Sequence, residues 1–119
     1  MAYIPDDAKW YIAEIIEEFR FEDGSESLIH INFVLISADS PEEAYSNALA
    51  LGKDGDISYK NTDGIKVTVV FRGLRDMNVV HDELEHGAEL LYERKEGLSE
   101  EAIQKLIRPK EQLNIFRPI

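Results

Sequence analysis

Between Leu28 and Ser37 the chain reads Leu-Ile-His-Ile-Asn-Phe-Val-Leu-Ile-Ser, the strongest strand signal in the sequence. As a strand it puts Ile29, Ile31, Phe33 and Leu35 on one face and Leu28, His30, Asn32, Val34 and Ile36 on the other. The first face is wholly apolar and is therefore expected on the core. Next comes Ser40-Pro41-Glu42-Glu43, which supplies an N-cap hydroxyl, a proline at the first helical position and a glutamate at the third. It predicts a helix from Ser40 to Leu51, ended by Gly52, with Ala44, Ala48 and Leu51 on the buried stripe and Tyr45 and Leu49 beside it. The runs Ile57–Lys60 and Ile65–Phe71 flank Asn61-Thr62-Asp63-Gly64 and read as a hairpin. Glu89–Lys95 is a further strand candidate. Ser99–Arg108 reads as a second helix, with Leu98 and Ile103 as its hydrophobic staple and Pro109 as its stop.

Trp10–Phe21 supports two structures. Ile12, Ile15, Ile16 and Phe19 have i, i+3, i+4, i+7 spacing, with Glu14, Glu17 and Glu18 opposite, which favours a helix. The Asp23-Gly24 turn leading directly into Leu28 favours a long β-hairpin instead.

Composition narrows the class. Leu, Ile, Val and Phe make up 35 of 119 residues, enough for one folded domain spanning residues 1–119. There is no cysteine, which excludes disulfides, thiol catalysis and thiolate-bound zinc. No apolar leader or long apolar run is visible, so a cytoplasmic protein without membrane contact is expected. The net charge of −11 opposes direct binding to nucleic acid. That charge sits in two zones: Asp6–Glu26 has eight acids and two bases, and Asp76–Glu101 nine acids and two bases. Ala102–Ile119 reverses the sign, with four bases and one acid.

Trp10-Tyr11, Ala38-Asp39-Ser40-Pro41-Glu42-Glu43-Ala44-Tyr45 with Ala48 and Gly52, Asp63-Gly64, Gly73-Leu74 and His86-Gly87-Ala88-Glu89 follow one another in order. In this the chain resembles the bacterial family known as domain of unknown function 4288, over roughly Trp10 to Glu93. The resemblance implies that Trp10–Phe21 is a strand, giving the element order β-β-α-β-β-β. It implies no activity. With the second helix added, the expected fold is α+β: a mostly antiparallel sheet of about five strands in the order β-β-α-β-β-β-α, with the Ser40 helix packed on it.

Local chemistry is sparse. In His81-Asp82-Glu83-Leu84-Glu85-His86 the pairs His81/Glu85 and Asp82/His86 are four apart, but the two histidines are five apart. On a helix they would stand about 140° from one another, which does not match a metalloprotease helix. No metal or other cofactor is therefore expected, and a metal-dependent hydrolase is the minor alternative. Ser40 and Ser99 serve as helix caps, and no nucleophile elbow is present. Gly52-Lys53-Asp54-Gly55 carries acid where a phosphate loop would need donors. Trp10, Tyr11, Tyr45 and Phe71 read as core in preference to a ligand groove.

The expectation is thus a non-enzymatic binding or regulatory module with no catalytic residue assigned. Its basic protein partner would dock on Asp82, Glu83, Glu85 and Glu89, four carboxylates within eight positions. The alternative is an immunity-type or nucleic-acid-mimicking inhibitor of a basic partner, and the bland reading of the two acidic zones is a solubility device. The apolar tail, residues 109–119, is expected to be docked, with Ile115 and Phe116 buried on its own domain or across a homodimer.

Overall fold

A computed structural model describes residues 3–118 and resolves the Trp10 ambiguity in favour of the strand. Strand β1 (Trp10–Phe21) pairs antiparallel with β2 (Leu28–Ser37) along one edge and with β4 (Lys66–Val79) along the other. Helix α1 (Pro41–Asp54) leads from β2 to the short strand β3 (Ile57–Lys60), which pairs antiparallel with the outer edge of β4. The sheet order is β2-β1-β4-β3. Beyond β4 the chain forms a loop, a short helix α2 (Glu100–Leu106) and two 3-10 turns.

In β1, between the β2 and β4 ladders on its two edges, residues on both faces are buried. Tyr11 through Ile15 are all buried, so the alternation that marks a half-buried strand is lost. Tyr11, Ala13 and Ile15 join Ile36, Val79, Ala44 and Ala48 in the cluster under α1. Residues paired directly across a ladder share a face. Ile12, Glu14 and Ile16 therefore lie on the opposite face with their partners Leu35, Phe33 and Ile31.

That geometry reverses the expected orientation of β2. The helix covers the mixed face, through Val34 and Ile36, and leaves the wholly apolar face outward, with Ile29 55% and Phe33 57% exposed. The mixed face wins because its polar members lie beyond the cluster: Asn32 donates to Glu17 and His30 packs against Phe19 with ring centroids 4.5 Å apart.

Among the described residues the sheet has four strands where about five were expected. Glu89–Lys95 forms no ladder with the chain's own sheet, so the order is β-β-α-β-β-α. The missing length reappears in β4, which runs on through Arg72-Gly73-Leu74-Arg75 to Val79. The β1 register skips two β4 residues: Glu14 faces Asp76 while Ile15 faces Leu74, and Ile16 faces Gly73 while Glu17 faces Phe71. The skipped residues are Arg75 and Arg72, each in a bulge. The Arg75 guanidinium meets Glu14 at 2.5–2.6 Å and lies 5.7 Å from the Phe33 ring centroid; Arg72 meets Glu18 at 2.6 Å. Hydrogen bonds from Arg72, Ser27 and Arg20 hold the Glu18 carboxyl below its ordinary pKa.

Ser40 caps α1 as expected, accepting from the Glu43 N–H at 3.1 Å. Gly52, however, lies inside the helix, which continues to Asp54. It is buried beside Ala44 and Ala48, while Leu51 and Tyr45 face outward. A Cβ on Gly52 would lie 2.4 Å from the Phe71 ring, so the glycine admits the aromatic side chain of β4 against the helix backbone. Of the aromatic residues expected in the core, Tyr11 is buried there, Trp10 and Phe71 are half-buried and Tyr45 is exposed. In a free helix, Gly→Ala stabilises by about 0.5–1 kcal/mol. Gly52→Ala should instead destabilise this protein by about 1–3 kcal/mol in urea unfolding, because the Phe71 ring must move.

Candidate functional site

The residues singled out in the second acidic zone all lie between the end of β4 and Tyr92. Backbone pairing anchors the start of this segment: the Val80 N–H donates to the Trp10 carbonyl at 2.9 Å, and Val79 and Val80 are buried. From His81 the chain turns outward. The Ala88 N–H donates to the Glu85 carbonyl at 3.0 Å, and the Glu89 N–H donates to the Asp82 carboxylate at 3.0 Å. Asp82 thus closes an eight-residue loop. Gly87, at φ +88, takes the left-handed turn within it, a conformation that costs other residues about 1–2 kcal/mol.

This closure brings Asp82 and Glu89 together at the base of the loop and leaves Glu83 and Glu85 on its excursion. All four side chains are exposed. Among the described residues, none of the four takes part in an ion pair, whereas Glu14, Glu18 and Asp39 are each bridged by Arg75, Arg72 with Arg20, and Lys9. The loop is therefore a negative surface without ion pairs among the described residues, beside a sheet in which Glu14 and Glu18 are bridged by arginine.

Two open cavities flank it, and His81 lines both. One, of about 450 Å³, lies among Tyr3, Asn78, His81, Glu89 and Tyr92, and the Tyr3 and His81 rings are nearly parallel with centroids 6.3 Å apart. The other, of about 260 Å³, lies between Pro5–Trp10 and Val80–Leu84. The loop is not a helix, so the four-residue spacings of His81/Glu85 and Asp82/His86 do not place those pairs on a shared helical face. Among the described residues no three His, Asp or Glu side chains gather as a metal-binding group. The N-terminal segment that walls the second cavity was not singled out in the sequence; its signal is the Pro5 turn, whose carbonyl accepts from the Ala8 N–H at 3.1 Å and lets Ala8 be buried.

Among the described residues of the tail, 109–118, every side chain is exposed. Residues 110–112 and 114–116 form 3-10 turns, Ile115 is 84% exposed, and Phe116 lies exposed beneath the Lys110 ammonium. Ile119 lies outside the described residues.

The Asp82 closure has a direct readout. Asp82→Ala should speed exchange of the Glu89 amide by about tenfold, the equivalent of one exposed hydrogen bond to a charged acceptor, while β1 amides keep their protection.

No curated protein and no solved structure matches the chain. No helix among the described residues is long and apolar enough to cross a membrane. The model of the family described as Domain of unknown function (DUF4288) matches residues 10–92, from the first residue of β1 through the acidic loop to the wall of the larger cavity. The sheet, the α1 helix and the loop are thus one family unit, and the chain belongs to the DUF4288 family.

Proposed function

We propose that the protein is a binding module whose acidic loop docks a basic protein surface through Asp82, Glu83, Glu85 and Glu89. The observation that carries this is the contrast in charge pairing. The sheet supplies arginines to Glu14 and Glu18, while among the described residues none of these four loop carboxylates is in an ion pair. Unpaired carboxylates on a loop closed by its own hydrogen bonds can meet cations without first breaking internal ion pairs. The charge also acts at a distance: a net −11 accelerates encounter with a cationic protein. An inhibitor of a toxin or of a nucleic-acid-binding protein would present such a surface, and both are forms of the same reading.

His81 beside both cavities, with Asp82 and Glu89 at the loop base, is the feature that favours metal-assisted hydrolysis as the competing reading. Calorimetric titration with zinc separates the two. The binding-module reading predicts no stoichiometric micromolar site, whereas such a site, lost in His81→Ala or His86→Ala, would establish the alternative.

Partners captured from lysate on immobilised protein should be basic and should elute between about 50 and 500 mM salt, as the screening length shortens. The variant Asp82→Asn/Glu83→Gln/Glu85→Gln/Glu89→Gln should bind them with an association rate lowered about 10-fold or more. Equal retention at low and high salt, or by the neutralised variant, would contradict the docking surface.

A further inference from the structure

The chain exposes far more surface than its mass accounts for. Its accessible area is 9464 Å², against about 6,600 Å² for a compact monomer of 13.6 kDa. Its radius of gyration is 18.3 Å, against about 13.5 Å for a compact domain of this length. The excess, about 2,900 Å², is of the size each chain gives up in a large obligate dimer.

Two features account for much of it, and they complement one another. The first is the outward face of β2, where Ile29, Phe33 and Leu35 form an apolar row along an edge strand. The second is the arm formed by residues 93–118, where no described side chain is buried and Leu106, Ile107, Ile115 and Phe116 are all exposed. Charge matches as well as hydrophobicity. Asp76 shares the open face, and Glu22, Asp23 and Glu26 lie in the hairpin loop at its Ile29 end; none of these acids is in an ion pair among the described residues. The arm brings Arg108, Lys110 and Arg117, likewise outside any ion pair among the described residues.

We propose that the protein is a reciprocal homodimer in which the arm of each chain lies across the open β2 face of a second copy. The occupant is a second copy because the uncovered face and the uncovered arm occur once each in every chain. Exchanging them around a two-fold axis covers both and closes at two subunits, leaving no complementary surface to propagate. The arm lies outside the residues that the family model matches, so this assembly is a property of residues 93–118 added to the family unit.

The mass of the full chain by light scattering at about 10 μM should be twice 13.6 kDa. Ile29→Asp on the face and Ile115→Asp on the arm should each raise the dissociation constant at least about 10-fold. Both side chains are exposed in the single chain, so far-UV circular dichroism should be unchanged. The lack of cysteine permits a decisive second measurement. A spin label on Ile115→Cys, mixed with isotope-labelled chain that carries no spin label, should broaden the amides of residues 29–35 in the isotope-labelled chain. A monomeric mass, a dimer indifferent to both substitutions, or unbroadened amides of residues 29–35 in the isotope-labelled chain would each overturn the proposal.

Discussion

The sheet depends on how it accommodates carboxylates in its central strand. Glu14 is 6% exposed on β1, between two ladders, where an unpaired carboxylate would be costly. Its partner comes from β4 by an insertion: Arg75 is the residue the register skips, so the bulge adds a side chain opposite Glu14 without displacing the ladder residues on either side. Arg72, skipped between the partners of Ile16 and Glu17, likewise reaches Glu18, four residues beyond Glu14 on β1. The bulges thus fix the register of the two longest strands and neutralise Glu14 and Glu18 of the first. Arg75 also reaches Phe33 on β2, so one guanidinium links three adjacent strands.

With that strand held, the two sheet faces take different roles. The α1 face is closed by small residues: Ala44, Ala48 and Gly52 let the helix approach until Phe71 meets the backbone at Gly52. Only an aromatic ring on one side and a missing Cβ on the other allow this spacing. The opposite face keeps its arginines and glutamates on β1 and β4, beside Ile12 and Ile16, and exposes an apolar row at the β2 edge. The acidic loop then leaves the end of β4, whose arginines Arg72 and Arg75 are committed to the sheet.

Local signals in the sequence were legible wherever a single residue type determines a conformation. Ser40-Pro41-Glu42-Glu43 announces the start of α1, Asn61 and Gly64 announce the β3–β4 turn, and Ser99 announces α2; each is observed in that role. The family resemblance identified β1 where periodicity pointed to a helix. Tertiary choices were not legible. Which face of β2 meets α1 depends on partners in β1 and β4, and apolarity alone selected the wrong one. Gly52 looked like a helix stop because its reason, the Phe71 ring, is 19 positions away in sequence. The strand beyond Phe71 was hidden by Arg72-Gly73-Leu74-Arg75, which reads as a break because its bulges disrupt the alternation. Of the candidate site, the clustering of carboxylates between Asp82 and Glu89 was visible, but the closure by Asp82 and the walls contributed by Tyr3 and Pro5–Trp10 were not.

If the bulged arginines hold the sheet together, the coupling between Arg75 and Glu14 is the quantity to measure. A double-mutant cycle with Glu14→Gln and Arg75→Met, followed by urea unfolding, isolates it. Arg75→Met alone should cost about 2 kcal/mol, less than for a fully buried pair because Arg75 is half exposed, and the coupling should be at least about 1 kcal/mol. Effects that add to within about 0.3 kcal/mol would contradict the account, leaving Arg75 an ordinary surface arginine and the bulge without an electrostatic role.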